Sequence, residues 1–253
     1  MFITSLDNEK VRFYEKLKDK KERDKTGLFM VEGAHLVLEA HKQGLIKELL
    51  LEKDEVFPID IPKEQTVYLT EQIIKKISSV ESPQKVMAVC YKKKECEELG
   101  DKILILDNVQ DPGNVGTIIR SACAFNIDTV VFSPNSVDLY NPKTIRATQG
   151  MFFHMNCIRR DLMPILEALK KEEIPIYGTL VGYGDDVREI EDEGKKRFAL
   201  VVGNEGNGVE EGITNMCDKN LYIDTNSNVE SLNVAIATSI LLYELGSKVK
   251  EKN

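Results

Sequence analysis

The 253-residue chain is poor in the side chains that hold metals and cross-links: it has three histidines and five cysteines. Cys90, Cys96, Cys123, Cys157 and Cys217 are scattered, odd in number and never spaced as C-x-x-C. That argues against a disulfide framework or a zinc site and fits a reducing cytoplasm. The histidines do not cluster with acids or cysteines, which leaves little basis for a metal centre or a histidine triad. No apolar run approaches the ~18 residues of a membrane span. The opening MFITSLDNEK lacks the apolar stretch of a secretory signal. The expectation is a cytoplasmic protein with no membrane and no metal among its partners. Positive charge is also short: 34 Lys and Arg stand against 42 Asp and Glu, for a net charge of −8 and a pI of about 5.2. Taken alone, that weighs against nucleic acid, because neutralising phosphates needs Lys and Arg.

What is present is globular: 42% hydrophobic and 30% charged residues. The length allows one large domain or two modest ones with a real core. Charge is uneven. Residues 10–25, KVRFYEKLKDKKERDK, hold eight basic and four acidic residues, a local balance of +4. This is either a solvated helix laced with i,i+4 pairs or a basic arm that meets phosphates. Arg12, Lys18, Lys21 and Arg23 are the candidate contacts.

Along the chain, residues 1–95 read as a small α/β unit. LFMVEG, IKELLLEKD, TVYLT and KVMAVCY have strand character, AHLVLEAHKQG is a helix closed by Gly44, and EQIIKKI is another helix. The charged stretch Lys92–Asp101 reads as a linker. From 103 to 253 the rhythm is strand, helix, strand. The runs ILIL, TVVFS, IPIYGTL, FALVVG and NLYID suit a parallel sheet covered on both faces.

Three loops of the second part fall at strand ends, where open α/β sheets bind ligands. The first lies within LDNVQDPGNVGTIIRSACAF, Leu106–Phe125. Val115, Ile118, Ile119 and Ala122 have helical spacing. Arg120 lies about 140° from Val115 around that helix, off the apolar stripe. The second loop, VVGNEGNGV, surrounds Asn204 and Glu205 with three glycines. Its G-x-x-G-x-G order is neither a dinucleotide fingerprint nor a P-loop, and a plain turn explains it as well. The third is IDTNSNVESLNVAIATSILLYE. Its helix, beginning near Ser231, is apolar nearly all round and should be buried. Asn233 then needs hydrogen-bond partners, although Ser227 and Glu230 also have capping-box spacing. Together the loops offer a carboxylate, amides, a hydroxyl and one arginine. That set suits a small molecule held beside a phosphate-bearing partner, with transfer driven by positioning.

N-x-x-D-P-x-N-x-G-x-x-x-R from Asn108 to Arg120, then GNEGNGV, then ESLNVAIA resemble the three signature motifs of SPOUT-class RNA ribose 2′-O-methyltransferases of the SpoU/TrmH type. GLFMVEGAHLVLEA and ESPQKVMAVC are similar to the RNA-binding domain often fused ahead of that catalytic domain. The resemblance implies an α/β fold, with an RNA-binding domain at 1–95 and a parallel-sheet methyltransferase domain at 103–253. Its C-terminal segment would be threaded as a trefoil knot. It implies S-adenosylmethionine as cofactor, contacted by Gly203, Ile223 and Leu232, with Thr179 lining the adenine pocket. It implies Asn114, Arg120, Glu205, Ser231 and Asn233 as active-site residues, a homodimer, and RNA as substrate. Ribosomal RNA is favoured over transfer RNA. The alternative is a non-catalytic RNA-binding assembly factor of the same fold. The chain departs from the pattern at Ile223-Asp224-Thr225, where Ile-Pro-Met is usual, and at Ser227, where glycine is usual. Arginine is a poor base because a guanidinium stays protonated. Arg120 is therefore expected to anchor phosphate and stabilise charge on the 2′ oxygen.

Overall fold

A computed structural model of the chain describes residues 1–226 and 228–246, so Ser227 and its capping-box spacing lie outside the described residues. The chain forms two compact units. The first takes residues 1–94 together with 138–153, and the second takes 95–137 and the chain from His154 onward.

The first unit is a mixed five-stranded sheet in the order β1-β4-β3-β5-β2. The strands are β1 (Phe2–Ile3), β2 (Leu28–Glu32), β3 (Ile46–Glu52), β4 (Thr66–Leu69) and β5 (Val86–Tyr91). Helices α1 (Glu9–Lys16), α2 (Lys20–Thr26), α3 (Ala34–Lys42) and α4 (Glu71–Ile77) accompany them. Tyr14, Leu17, Leu50, Leu69, Ile73, Ile77 and Met87 share one buried cluster. Each aliphatic side chain there contributes roughly 1.5–3 kcal/mol through burial. Gly44, at φ +64°, follows the end of α3 in the left-handed conformation that glycine adopts without strain.

The basic stretch is two helices rather than one, because the chain breaks between Lys16 and Lys20. Leu17 there turns into the core, at 1% exposed. The carbonyls of Leu17 and Lys18 accept instead from Arg23 Nη1, at 2.8 and 2.5 Å. Arg23 Nη2 meets Asp138 Oδ2 at 2.6 Å. Arg23 is thus 3% exposed and unavailable to RNA, which corrects its place among the basic contacts. Arg12, Lys18 and Lys21 remain exposed. Arg12 faces Asp7 at 3.3 Å, and Lys18 Nζ donates to the Lys76 carbonyl at 2.7 Å.

The second unit is a seven-stranded sheet in the order β10-β12-β9-β11-β6-β7-β8. Every neighbouring pair is parallel. Its strands are β6 (Lys102–Leu106), β7 (Thr129–Phe132), β8 (Asn156–Arg159), β9 (Ile176–Thr179), β10 (Asp185–Asp186), β11 (Phe198–Val202) and β12 (Lys219–Tyr222). Its helices are α5 (Pro112–Ala124), α7 (Leu162–Lys171), α8 (Glu211–Thr214) and α9 (Val234–Gly246); α6 (Pro142–Ala147) belongs to the first unit. Ile103, Ile105, Val131, Ile176 and Val201 pack with Leu162, Leu166 and Leu169 of α7 and Ile213 of α8. The alternate positions Leu104, Leu106, Val130, Leu200 and Val202 are buried too. Both faces are covered, as the continuous apolar runs require. At the end of β8, the Arg159 guanidinium donates to the carbonyls of Ser133, Pro134, Ser136 and Val137, at 2.6–3.0 Å. It thereby fixes the loop that leaves β7.

The helix α9 departs from expectation. It is buried through Ala235, Thr238, Leu241, Leu242 and Leu245. Ile236, Ile240 and Tyr243 are 52%, 37% and 60% exposed. An all-round apolar composition has been divided between a core face and an open face.

The Arg23–Asp138 pair yields a prediction. Removing one partner of a buried ion pair typically costs about 3–5 kcal/mol. Arg23→Ala also frees the buried Leu17 carbonyl and the part-buried Lys18 carbonyl, and it should lower the urea midpoint of unfolding accordingly. An unchanged midpoint would show that the guanidinium holds nothing in place.

Candidate active site

The three polar loops converge beyond the carboxyl ends of β6, β11 and β12. Asp111 caps α5, its Oδ1 accepting from Asn114 N at 2.8 Å. Pro112 occupies the first turn, where its missing N–H costs nothing. Val115, Ile118, Ile119 and Ala122 are buried and Arg120 is exposed, as the helical spacing predicts. At the start of α9, Asn233 Oδ1 accepts from Ala235 N at 2.9 Å and Ile236 N at 3.3 Å, which makes it the helix cap.

The glycine loop is closed on itself. Asn204 and Gly208 exchange both backbone hydrogen bonds at 2.9 Å. Asn204 Oδ1 accepts from Gly206 N at 2.9 Å and Asn207 N at 3.2 Å. A Cβ on Gly203 would lie 2.0 Å from the Gly208 carbonyl carbon, so only glycine lets the loop close this tightly. Asn204 Nδ2 donates to the Asn108 carbonyl at 2.9 Å, tying this loop to the one after β6.

Asn114, Glu205 and Asn233 form one hydrogen-bonded chain. Asn233 Nδ2 donates to Asn114 Oδ1 at 2.9 Å, and Asn114 Nδ2 donates to Glu205 Oε1 at 2.9 Å. Asp111 N also donates to Glu205 Oε1, at 3.4 Å. The donors' order is dictated from one end. Backbone N–H groups of α9 can only donate, so Asn233 presents its oxygen to them and its nitrogen to Asn114. Asn114 must then accept through oxygen and donate through nitrogen, and Glu205 Oε1 must be the acceptor that ends the chain.

Arg120 and Ser231 stand outside this chain. Both are exposed, and neither side chain has a hydrogen-bond partner among the described residues. Thr179 ends β9, Gly203 follows β11 and Ile223 follows β12, with Leu232 beside Asn233. The order β12-β9-β11 brings those three strand ends side by side. Among the described residues no group of His, Cys, Asp and Glu could hold a metal ion. No described helix is long and apolar enough to cross a membrane.

One residue of the site was not a candidate from the sequence. Asp107 follows the apolar strand β6 and is 2% exposed. Its Oδ1 accepts from Asn108 Nδ2 and its Oδ2 from Glu210 N, both at 2.8 Å. Burial pushes its carboxyl above the ordinary aspartate range, against the opposing effect of the Glu210 hydrogen bond. The available signal was a carboxylate directly after four apolar positions, a place where an acid must find donors.

This geometry has close counterparts. Residues 8–88 match the MRM3-like substrate binding domain. The chain is 42% identical over 245 residues to the 23S rRNA (guanosine(2553)-2′-O)-methyltransferase RlmP of Bacillus subtilis, covering 96% of this chain and 98% of that protein. An AdoMet-bound rRNA methyltransferase from Sinorhizobium meliloti superposes with a TM-score of 0.84 at 28% identity, over 97% of each chain. An RNA 2′-O ribose methyltransferase superposes at 0.80 with 25% identity, over 97% of this chain and 98% of that one. Residues 101–243, which include all three converging loops, match the SpoU rRNA methylase family as a whole, and the chain belongs to that family.

Proposed function

We propose that the chain transfers a methyl group from S-adenosylmethionine to a ribose 2′-hydroxyl of 23S ribosomal RNA in the cytoplasm. The guanosine named for the Bacillus subtilis relative is the first site to test. The observation that carries this is the amide chain from Asn233 through Asn114 to Glu205 at the carboxyl edge of the parallel sheet, with the exposed guanidinium of Arg120 on the same helix as Asn114.

Thr179, Gly203, Ile223 and Leu232 would hold the cofactor. The ends of three adjacent strands lie side by side there, and the exposed carboxylate of Asp224 beside Ile223 suits a cationic sulfonium cofactor better than a phosphate. When bound, the cofactor supplies an already electrophilic methyl, so the protein's task is placement. Asn114 and Ser231 orient the ribose. Glu205 ends the amide chain as its acceptor and holds the Asn114 amide in place. Arg120 binds the adjacent phosphate and stabilises the negative charge that develops on the 2′ oxygen. In this scheme residues 1–95 hold the RNA and 103–253 carry the chemistry. The C-terminal segment is a trefoil knot, and a homodimer forms across α5 and α9. The open apolar face of Ile236, Ile240 and Tyr243 supports the dimer.

Arg120→Lys keeps the charge but loses the planar fork. It should bind S-adenosylmethionine at about one site per chain in calorimetry yet transfer methyl groups about 10²–10³-fold more slowly in single turnover. Arg120→Ala should lose at least as much. Transfer by Arg120→Ala at the parent rate would remove the arginine from the mechanism.

For RNA capture, Lys18→Glu with Lys21→Glu should weaken RNA binding and flatten its salt dependence by roughly 0.7–0.9 for each lost phosphate contact. Cofactor affinity should hold. An unchanged salt slope would make this segment a solvated surface.

The protein should sediment as a dimer at micromolar concentration, and Ile236→Asp with Ile240→Asp should shift it to monomer. A parent that is monomeric and active would refute the shared site.

A further inference from the structure

Asp107 lies behind the catalytic loops, outside the amide chain, and the scheme above gives it no role. It follows β6 directly, and its acceptance from Glu210 N reaches 103 residues along the sequence to the first residue after the glycine loop. Glu210 is also the cap of α8. The loop that carries Gly203 and Glu205 is therefore gripped at its far end by Asp107 and at its near end by the Asn204–Asn108 bond. Asn108 adopts φ +55°, and in that turn its carbonyl meets Asn204 while its N–H donates to Ser133 Oγ at 2.9 Å. Between those two holds, Glu205 reaches Asn114.

We propose that Asp107 is a positioning residue for methyl transfer: through Glu210 N it holds the β11–α8 loop so that Glu205 keeps its bond to Asn114. This rests on the methyltransferase reading above and adds a residue to it.

The chemistry of the contact restricts what can replace the carboxylate. Both groups that reach Asp107 are donors, so the site needs two acceptors. An ionised aspartate supplies them. An asparagine in its place supplies one acceptor to Glu210 N and one donor. Asn108 can meet that donor by turning its own amide, so that its oxygen faces the substituted side chain and its nitrogen faces Ser133 Oγ. Alanine supplies neither. The partner can be changed without touching the acceptor. Glu210 has φ −59°, inside the range of proline, so Glu210→Pro deletes the donating N–H at an acceptable backbone angle. Glu210→Ala deletes the side chain and keeps the N–H. The charged groups that line the same cavity as Asp107, of about 350 Å³, are Asp161 and Glu210. Glu210→Ala thus also controls for the loss of a neighbouring negative charge.

The test measures single-turnover methyl transfer to RNA, S-adenosylmethionine affinity and thermal melting for the full-length protein. The variants are Asp107→Asn, Asp107→Ala, Glu210→Ala, Glu210→Pro and the double Asp107→Ala/Glu210→Pro, all assayed well below their melting temperatures. A displacement of the order of an ångström at a reacting group costs about 10²-fold in rate. Asp107→Ala and Glu210→Pro should each approach that loss, with much smaller changes in cofactor affinity. Asp107→Asn and Glu210→Ala should stay near the parent. The double variant should be no slower than the slower single, since both remove one bond. The proposal is overturned if Asp107→Ala lowers the melting temperature while its transfer rate stays parental. It is also overturned if Glu210→Ala is as slow as Glu210→Pro, or if the two losses multiply. Should a variant fail to fold, Asp107→Asn, nearly the same shape, decides: a loss of about 10²-fold at an unchanged melting temperature would overturn the role of the acceptor. A parent protein that binds S-adenosylmethionine but methylates no RNA would instead sink the underlying reading.

Discussion

The amide oxygen of Asn233 is committed to the first N–H groups of α9, and the rest of the candidate site inherits its polarity from that commitment. A helix start has donors to satisfy and no choice about their direction. The orientation passes to Asn114 and ends on Glu205, whose carboxylate is the terminus a chain of donors requires. Three segments from distant parts of the sequence thus share one hydrogen-bond direction, set by the geometry of a helix end. The back of the site follows the same logic, because Asp107 and the Asn108 carbonyl are acceptors meeting donors from the glycine loop and the residue that follows it.

Much of the second unit was legible because a parallel sheet covered on both faces needs consecutive apolar residues. ILIL, TVVF and FALVV can hardly be anything else. The missed strands are those without that signature: β1 and β10 have two residues each, and β8 is an edge strand reading Asn-Cys-Ile-Arg. The α9 helix misled for a related reason. Apolar composition records that a surface will be dry without recording whether the same chain dries it. The loops were legible as places where chemistry collects, but the bond order within them was not, since an asparagine reads the same whichever way its amide faces.

Arg23 shows the limit of reading charge. Nothing in KKERDK separates it from its neighbours. What draws it inward is the break in the helix, which frees two carbonyls close to a guanidinium. Such breaks depend on where Leu17 packs, and packing is not a property of the local sequence.

The chain's second crossing into the first unit has a consequence for its synthesis. Residues 138–153 bring Tyr140, Phe152 and Phe153 around Phe29, with ring centroids 4.8, 6.0 and 6.4 Å away, and Lys93 Nζ donates to the Phe153 carbonyl at 2.7 Å. Phe29 is wholly buried by this arrangement. A nascent chain that has emerged only as far as residue 94 lacks those aromatic neighbours. The N-terminal unit therefore cannot finish its core in the order of translation and must wait for a segment made after β6, α5 and β7. Its completion is timed by the synthesis of the first three elements of the second unit.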